Sequence, residues 1–515
     1  MPRAMHRARE MTGEENRGSV EHGDGGHAVA HALWFVRKRW MLVLVISAAM
    51  LAPCLVQRRI QGGDFASHVY NAWLAQLSAH GQAPGLYIAR QWNNVLVDIA
   101  LARLGEIFGF AAADKIVACA CVLIFFWSAF ALIGAVARRA PWYLAPGIAM
   151  IAYGWTFQLG FMNYYLAAGL AFFALAILWR ARGTDWIVGA ALALIVLVAH
   201  PMVFAWLVGA AGYVRISEKL RGWRRWILFA AALGSVYAVR FYVVRHFEVD
   251  TFETQNCYLL NGADQLVTYG ERYTKLAWAV LMFGSLCMIA GVAGERKQKE
   301  TRWAFRTPLE LWAVLLFAAA MLPENIYFPE YTAPLGLIVL RLTTLTAVLG
   351  LCVLGTVKPR RWHLAGLVIC AGVFFVWTYQ DTAALNRMEK QAENLVSGLP
   401  YGTRVIETIW NPEGSRVYFI THIVDRACIA RCFAYANYEP SSGAFRIRVR
   451  PGSPVVTDDQ GASDEMERGV YVVKPQDLPM MQIYQCDKRD LKKLCMRALA
   501  AGEKNNRTGF QPPWE

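Results

Sequence analysis

The sequence predicts an α-helical polytopic membrane protein with about eleven transmembrane helices and a small extracytoplasmic α/β domain at the C-terminus. Three observations predict this fold class. Of the 515 residues, 56% are hydrophobic and 17% are charged, whereas soluble domains carry about 25% charged residues. Apolar runs of about 20 residues, long enough to cross a bilayer core, recur along most of the chain. After Asp381 the composition becomes that of a soluble domain.

This composition excludes two broad classes of protein. A soluble multi-domain enzyme needs more charge to cover its surface, and a disordered chain carries far fewer apolar residues. The formal net charge of +14 would favour nucleic-acid binding in a soluble protein. Here Lys and Arg fall mostly between the apolar runs, where they orient helices against the cytoplasmic leaflet. We therefore expect a cell (inner) membrane location and no nucleic-acid partner.

The basic residues also set the orientation of the chain. Residues 1–36 are polar and predict a disordered cytoplasmic N-terminus. The membrane domain covers residues 37–380, and its first span, 40–56, follows the basic residues 37–39, which keeps the N-terminus inside. Further single spans are predicted at 115–137, 141–157, 163–179, 226–244, 275–294, 308–323, 333–356 and 362–379.

The apolar run 186–214 is interrupted by His200-Pro201. One long kinked helix is possible, because proline is tolerated in transmembrane helices. Two short helices that turn at the outer surface fit better, because the basic loop that follows should lie inside. With this pair the count reaches about eleven spans, and the C-terminus lies outside.

The first outer loop, 58–114, is too polar on average to span the membrane. Its stretch 93–110 is amphipathic and predicts a helix that lies in the outer interface. Val95 and Ile99 belong to the predicted apolar face, whereas Asp98 is expected to face water.

Residues 381–515 predict a separate extracytoplasmic domain of mixed α/β structure. The segments 405–410, 417–420 and 445–450 have the composition of strands, and 487–501 is predicted to be helical. This region carries four cysteines, which suits an oxidising compartment. Pairs Cys428/Cys432 and Cys486/Cys495 are possible, but all three connectivities stay open. A zinc site built on Cys428 and Cys432 is the lesser interpretation, because no second ligand pair is evident.

The most informative segment lies in the outer loop after Gly62-Gly63. On a helix that starts at Asp64, the residues Asp64, His68 and Asn71 share one face and present a carboxylate, an imidazole and an amide at the outer surface. The carboxylate could take a proton from an acceptor hydroxyl during sugar transfer. Alternatively, Asp64 is an N-cap, and His68 and Asn71 are solvated.

The layout of residues 40–380 resembles the GT-C superfamily of integral-membrane glycosyltransferases. One span is followed at once by an outer loop with an acidic residue and an amphipathic helix, then by many spans with short loops and by an extracytoplasmic domain. The resemblance implies a polyprenyl-phosphate-linked sugar as donor and a catalytic base at Asp64. We expect that Asp64 would deprotonate the acceptor and that His68 would orient it or share the proton. Many members carry a paired acidic signature, whereas this chain has a single Asp followed by Phe65.

Three further residues are candidates for substrate binding. Arg341 lies in an apolar span and could hold a lipid phosphate, or it could snorkel to the interface or pair with a carboxylate. Glu324, in the outer loop before that span, would suit sugar hydroxyls, although the loop could equally be an interfacial belt. His200, at the predicted outer turn, either binds substrate or caps a helix end.

The sequence thus favours a membrane glycosyltransferase that transfers a sugar from a polyprenyl-phosphate donor to a lipid or glycan acceptor. Tyr435 and Tyr438, beside Arg446, Arg448 and Arg450, are candidates for acceptor selection, although alternating Arg residues also suit a solvated strand. No cofactor or metal site is predicted, and metal dependence stays open. A secondary transporter or lipid flippase, and a non-catalytic membrane assembly protein, are the alternatives.

Overall fold

The computed structural model describes residues 37–251, 260–294, 305–358, 360–411, 415–417, 420, 422–487 and 489–506. The predicted disordered N-terminus, 1–36, lies outside these residues, as do 418 and 419 of the predicted strand 417–420. The chain is mostly helical with a small C-terminal sheet region, which confirms the coarse fold class.

The first half of the described chain forms helices and one short strand. In chain order these are α1 (Trp40–Val56), α2 (Gly63–Ala79), β1 (Leu86–Ile88), α3 (Leu96–Phe108), α4 (Phe110–Ala137), α5 (Ala145–Ala152), α6 (Trp155–Leu159), α7 (Met162–Leu178), α8 (Asp185–Ala199), α9 (Pro201–Lys219) and α10 (Trp223–His246). The run 186–214 is therefore two helices. Pro201 begins α9, where a missing N–H costs no helical hydrogen bond.

The second half contains the remaining long helices and most strands. In chain order these are β2 (Glu248–Asp250), α11 (Glu271–Gly294), α12 (Arg306–Met321), β3 (Asn325–Tyr327), α13 (Ile338–Gly355), α14 (Arg361–Val396), β4 (Arg404–Thr408), α15 (Ile423–Cys428), β5 (Phe433–Ala434), α16 (Glu439–Ser442), β6 (Ile447–Val449), α17 (Gln460–Arg468), β7 (Met480–Gln485) and β8 (Leu494–Leu499). Within the described ranges, five helices are long and apolar enough to cross a membrane, namely α4, α10, α11, α13 and α14.

Helix α14 crosses the position where the sequence suggested a domain boundary. It runs without a break from Arg361 to Val396, so Asp381 lies in the middle of a helix. The apolar first part ends in a polar part that carries Glu389 and Glu393, both of which are buried. The C-terminal region is thus joined to the apolar helices by a continuous helix rather than by a loop.

The C-terminal sheet has four strands in the order β5-β4-β7-β8. Strand β4 runs parallel to both β5 and β7, and β7 and β8 are antiparallel. The predicted helix 487–501 is wrong, because Leu494–Leu499 is a strand paired with Met480–Gln485. The segment lies at the edge of the sheet, so pairing with β7 overrides its local helical preference.

Strand β6 pairs with β1 of segment 58–114, the predicted outer loop, rather than with the four-stranded sheet. Leu86–Ile88 and Ile447–Val449 are antiparallel, with Tyr87 opposite Arg448. Helix α2 also packs against the C-terminal region, since Tyr70, Trp73 and Leu74 share one hydrophobic cluster with residues such as Val405 and Ile423. The outer loop and the C-terminal region therefore form one packed body.

Helix α3 confirms that 93–110 contains a helix, but its buried face is not the predicted one. Val97, Leu101 and Gly105 are buried, whereas Ile99 is exposed. Because α3 packs on α2 and α4 instead of lying free, the neighbouring helices decide which face is covered.

Candidate functional site

The site is centred on Asp64, the second residue of α2. Gly62 precedes the helix in an extended conformation, and no side chain caps the helix start. The Asp64 side chain is 24% exposed, so its carboxylate reaches open space. A carboxylate in the first turn of a helix interacts favourably with the helix dipole.

The backbone of Gly160 packs closely against the start of α2. Its backbone has φ +89°, and a Cβ at this position would lie 2.3 Å from the Phe65 nitrogen and 2.9 Å from the Asp64 nitrogen. No other residue type fits both the left-handed conformation and the close approach. The turn between α6 and α7 therefore fixes the position of the Asp64 backbone.

A histidine from the C-terminal region faces Asp64. The Nε2 atom of His422 lies 3.8 Å from Asp64 Oδ1, and its Nδ1 atom lies 3.1 Å from Asp425 Oδ2. Burial opposes protonation of His422, but Asp425 and Asp64 raise its pKa to about 10. The His422 imidazole thus lies between two carboxylates, those of Asp425 and Asp64.

Two more acidic groups lie near this pair. Glu407, on β4, is buried and accepts a hydrogen bond of 3.4 Å from the Val424 N–H. Glu467, on α17, has its pKa raised to about 7 by burial, with His422 opposing the shift. Among the described residues, one group can supply three metal ligands, and it consists of Glu407, His422 and Asp425.

His68 lies one helical turn beyond Asp64, but it is not presented at the surface. It is buried, and its Nδ1 atom lies 2.8 Å from Asp98 Oδ1. Burial opposes its protonation, whereas Asp98, Glu439 and Asp64 raise its pKa to about 10. Asp98 also accepts a hydrogen bond of 3.0 Å from the Asn163 side chain, so the expectation that Asp98 faces water is wrong.

Asn71, the third residue of the predicted face, is also buried. Its amide nitrogen donates to Ser67 Oγ at 3.0 Å, and its Oδ1 accepts from Asn437 Nδ2 at 2.8 Å. The C-terminal region covers this part of α2, so Asn71 joins two parts of the chain that are 366 positions apart in sequence. The predicted exposed face is thus reduced to Asp64.

Arg341 is brought to the same site from α13. It is half-buried, its guanidinium lies 4.1 Å from the centre of the Phe161 ring, and its Nε has no hydrogen-bond partner among the described residues. Asp64 and Glu324 lie within electrostatic range of this guanidinium. The phenol of Tyr438 lies in the fields of both Asp64 and Arg341. A cation with an unused Nε donor and a carboxylate thus both lie within electrostatic range of the Tyr438 phenol.

His200 and Glu324 are buried near Arg341, where they contact other protein groups. His200 is buried and makes an edge contact with the Tyr164 ring, whose hydroxyl donates to the Arg341 carbonyl at 2.6 Å. Glu324 is buried, and its Oε2 accepts the Val339 N–H at 3.0 Å. Burial raises the pKa of Glu324 to about 7. Glu324 therefore supports the start of α13 rather than facing a sugar.

An apolar cavity of about 410 Å³ opens beside the site. It lies between α1, α5, α6 and α14, and its wall includes Met50, Tyr153 and Phe375. Gln61, three residues before Asp64, lines one end. Such a cavity suits an apolar chain more than a polar solute.

The sequence-based site missed His422, Asp425 and Glu407. His422 and Asp425 are three positions apart, a spacing that allows contact within one helical turn, but this pattern is common. What marks these three residues as a possible site is that they lie together at β4, and only the tertiary structure shows this. Searches against protein-family models, curated proteins and solved structures found no match to this chain.

Proposed function

We propose that this chain is an integral-membrane glycosyltransferase that transfers a sugar from a polyprenyl-phosphate donor to a lipid or glycan acceptor at the outer membrane face. One observation carries the proposal: the partly exposed Asp64 carboxylate lies within electrostatic range of Arg341, whose Nε lacks a partner among the described residues. The reaction needs a base for the acceptor and a cation for the leaving phosphate, and these two groups have those properties.

The proposal includes a membrane topology of about eleven spans with the N-terminus in the cytoplasm and the C-terminal region outside. The five long apolar helices and the shorter apolar helices α1, α7 and α8 support it. The disulfides Cys428–Cys432 and Cys486–Cys495 support an oxidising environment for the C-terminal region, because such bonds are rare in the cytosol.

In the proposed reaction, Asp64 takes the proton from the acceptor hydroxyl. The acceptor oxygen then forms a bond to the anomeric carbon as the bond from that carbon to the donor phosphate oxygen breaks. The electron pair leaves with the phosphate, whose added negative charge Arg341 stabilises. Direct displacement inverts the configuration at the anomeric carbon.

His422 and His68 take supporting roles in this mechanism. His422, whose Nε2 lies 3.8 Å from Asp64 Oδ1, helps to position the carboxylate. His68 is enclosed by Asp98 and cannot reach an acceptor, so it positions α2 instead of sharing the proton. The apolar cavity beside Gln61 is a suitable place for the isoprenoid chain of the donor.

The test is transfer of labelled sugar from several polyprenyl-phosphate donors to membrane acceptors, using the full chain in detergent or proteoliposomes. The isosteric change Asp64→Asn removes the base and should lower the transfer rate by about 100-fold or more. Arg341→Gln should weaken donor use, seen mainly as a higher KM, because it removes the cation. Glu271→Gln, at an exposed carboxylate outside the site, is the matched control.

Each result separates this proposal from its alternatives. Transfer by the wild type and the control, with loss in Asp64→Asn but normal insertion, supports the base assignment. Equal transfer by the wild type and Asp64→Asn would remove Asp64 from the mechanism. Absence of transfer with every donor, together with ion-coupled uptake, would instead favour a transporter. Absence of both would favour an assembly protein.

A further inference from the structure

Three potential metal ligands converge in the C-terminal region. Glu407 comes from β4, His422 precedes α15, and Asp425 lies in the first turn of α15. One ligand atom from each lies within 4.8 Å of the others, and all three residues are buried. Two ligand atoms of one first-row metal ion are at most about 4.2 Å apart, since each bond is about 2.1 Å long. The three side chains must therefore move closer together to bind one ion.

A second observation points to a ligand at this cluster. A cavity of about 10 Å³ is lined by the three residues together with Glu467 and Asn437, which is space for a single small ion or water. Among the described residues, the Glu407 carboxylate accepts one hydrogen bond, from the Val424 N–H to Oε2 at 3.4 Å. Its side chain is thus buried at the cavity with hydrogen-bonding capacity unused.

The charge balance at the cavity is also one-sided. Three carboxylates line the cavity, those of Glu407, Asp425 and Glu467. None of the described residues that line it is Lys or Arg. Asp64 adds another carboxylate 3.8 Å from His422. Buried carboxylates are costly unless they are paired or bind a metal ion, and one imidazole cannot pair with all of them.

We propose that Glu407, His422 and Asp425 form a binding site for a divalent first-row transition-metal ion. One imidazole nitrogen and two carboxylates suit Mn²⁺ or Zn²⁺ better than Ca²⁺, which prefers oxygen ligands alone. The site lies next to Asp64 and ties β4 to α15, so a bound ion stabilises the packing of these two elements on one another. This proposal does not depend on glycosyl transfer.

The experiment measures metal binding by the full chain without an affinity tag, purified in detergent and treated with a chelator. Titration with Mn²⁺ and, separately, Zn²⁺ should give one ion per chain and raise the melting temperature. Glu407→Gln and Asp425→Asn should each weaken binding by at least about tenfold. Glu465→Gln, at an exposed carboxylate near Glu467, should bind as the wild type does.

A spectroscopic measurement on the wild type covers the case in which a variant fails to fold. Bound Mn²⁺ should show coupling to an imidazole ¹⁴N nucleus in pulsed EPR, as expected for direct coordination by His422. Absence of saturable binding, binding without ¹⁴N coupling, or equal affinity in Glu407→Gln and Asp425→Asn would overturn the proposal. These readouts do not involve sugar transfer, so a failed metal site and a failed transferase remain distinguishable.

Discussion

The Arg426 guanidinium donates two hydrogen bonds to the Glu389 carboxylate, Nε to Oε1 at 2.7 Å and Nη2 to Oε2 at 2.8 Å. Arg426 also pairs with Asp114 at 3.0 Å, and Gln61 donates to Glu389 at 2.7 Å. These four residues come from the C-terminal region, α14, α4 and the outer loop. This network of four side chains therefore joins these four parts of the chain to one another.

Breaking this pair should destabilise the protein strongly. Arg426→Met leaves Glu389 and Asp114 buried without their cation, which costs about 3–5 kcal/mol. The double change Arg426→Met with Glu389→Leu removes both partners of the main pair, so it should cost less than the sum of the single changes. Thermal unfolding in detergent measures the effect.

An exposed pair provides the control for this prediction. Arg103 and Glu106 lie 3.3 Å apart on the surface of α3, so Arg103→Met should change stability by less than about 1 kcal/mol. If Arg426→Met unfolds at the same temperature as Arg103→Met, the buried network does not hold these parts together.

Gly160→Ala should disturb Asp64 without changing a chemical group. The added Cβ would press on the backbone nitrogens of Asp64 and Phe65, and the left-handed conformation adds about 1–2 kcal/mol. Because a displaced base reacts poorly, we expect the transfer rate to fall by about tenfold to 100-fold. The transfer assay and thermal unfolding measure the two effects.

Gly81→Ala is the matched control, because Gly81 also has a positive φ, +69°, but has open space around its Cβ position. It should show a similar strain penalty and normal transfer. Equal transfer rates in the two variants would show that the α6–α7 turn does not position Asp64.

His68 should make stability depend on alkaline pH. Its pKa in the folded chain is raised to about 10, above the unfolded value of about 6.5. The stabilisation is therefore fully present below pH 6.5 and is lost as the pH rises to about 10. Asp98, Glu439 and Asp64 face the imidazole and cause this shift. The expected loss is a few kcal/mol, since each pKa unit corresponds to about 1.4 kcal/mol.

Thermal unfolding from pH 6 to pH 10 tests this dependence by comparing the wild type with His68→Gln. The variant has no imidazole to titrate, so the stability difference between the two proteins should shrink as the pH rises. Asp98→Asn should shift the transition to lower pH. A pH-independent difference would mean that the His68 imidazole carries no proton in the folded protein.

The two disulfides predict a specific alkylation pattern. Cys428–Cys432 and Cys486–Cys495 are bonded, whereas Cys54, Cys119, Cys121, Cys287, Cys352 and Cys370 are free. Alkylation of the denatured protein, analysed by mass spectrometry, should therefore label the six free residues before reduction and the other four only afterwards. Labelling of these ten described cysteines without reductant would contradict both the bonds and the proposed outer location.

Much of the local structure follows from the sequence. The start of α2 near Asp64 follows the Gly62-Gly63 pair, and the break between α8 and α9 follows Pro201. Both disulfides join the nearest pairs, at separations of 4 and 9 residues. Such features depend on backbone sterics and short loops, so a local pattern predicts them.

The partners of the site residues could not be predicted in this way. His68 and Asn71 carry no mark of burial in the sequence, and Asp98 has the pattern of a water-facing residue. His68 and Asn71 are buried because the C-terminal region and α3 cover α2 in the fold, and Asp98 is half-buried beside His68. Local periodicity shows that one helix face is apolar, but it does not show which distant segment covers the polar face.

The sequence by itself determined the helical class, the position of Asp64 at a helix start and the small C-terminal sheet region. Only the tertiary structure decided that His422, Asp425 and Glu407 gather beside Asp64, and that Arg341 on α13 lies within electrostatic range of it. Helices and strands arise from interactions between neighbours in the chain. A cluster of buried charges arises from contacts between distant segments, whose geometry no local pattern contains.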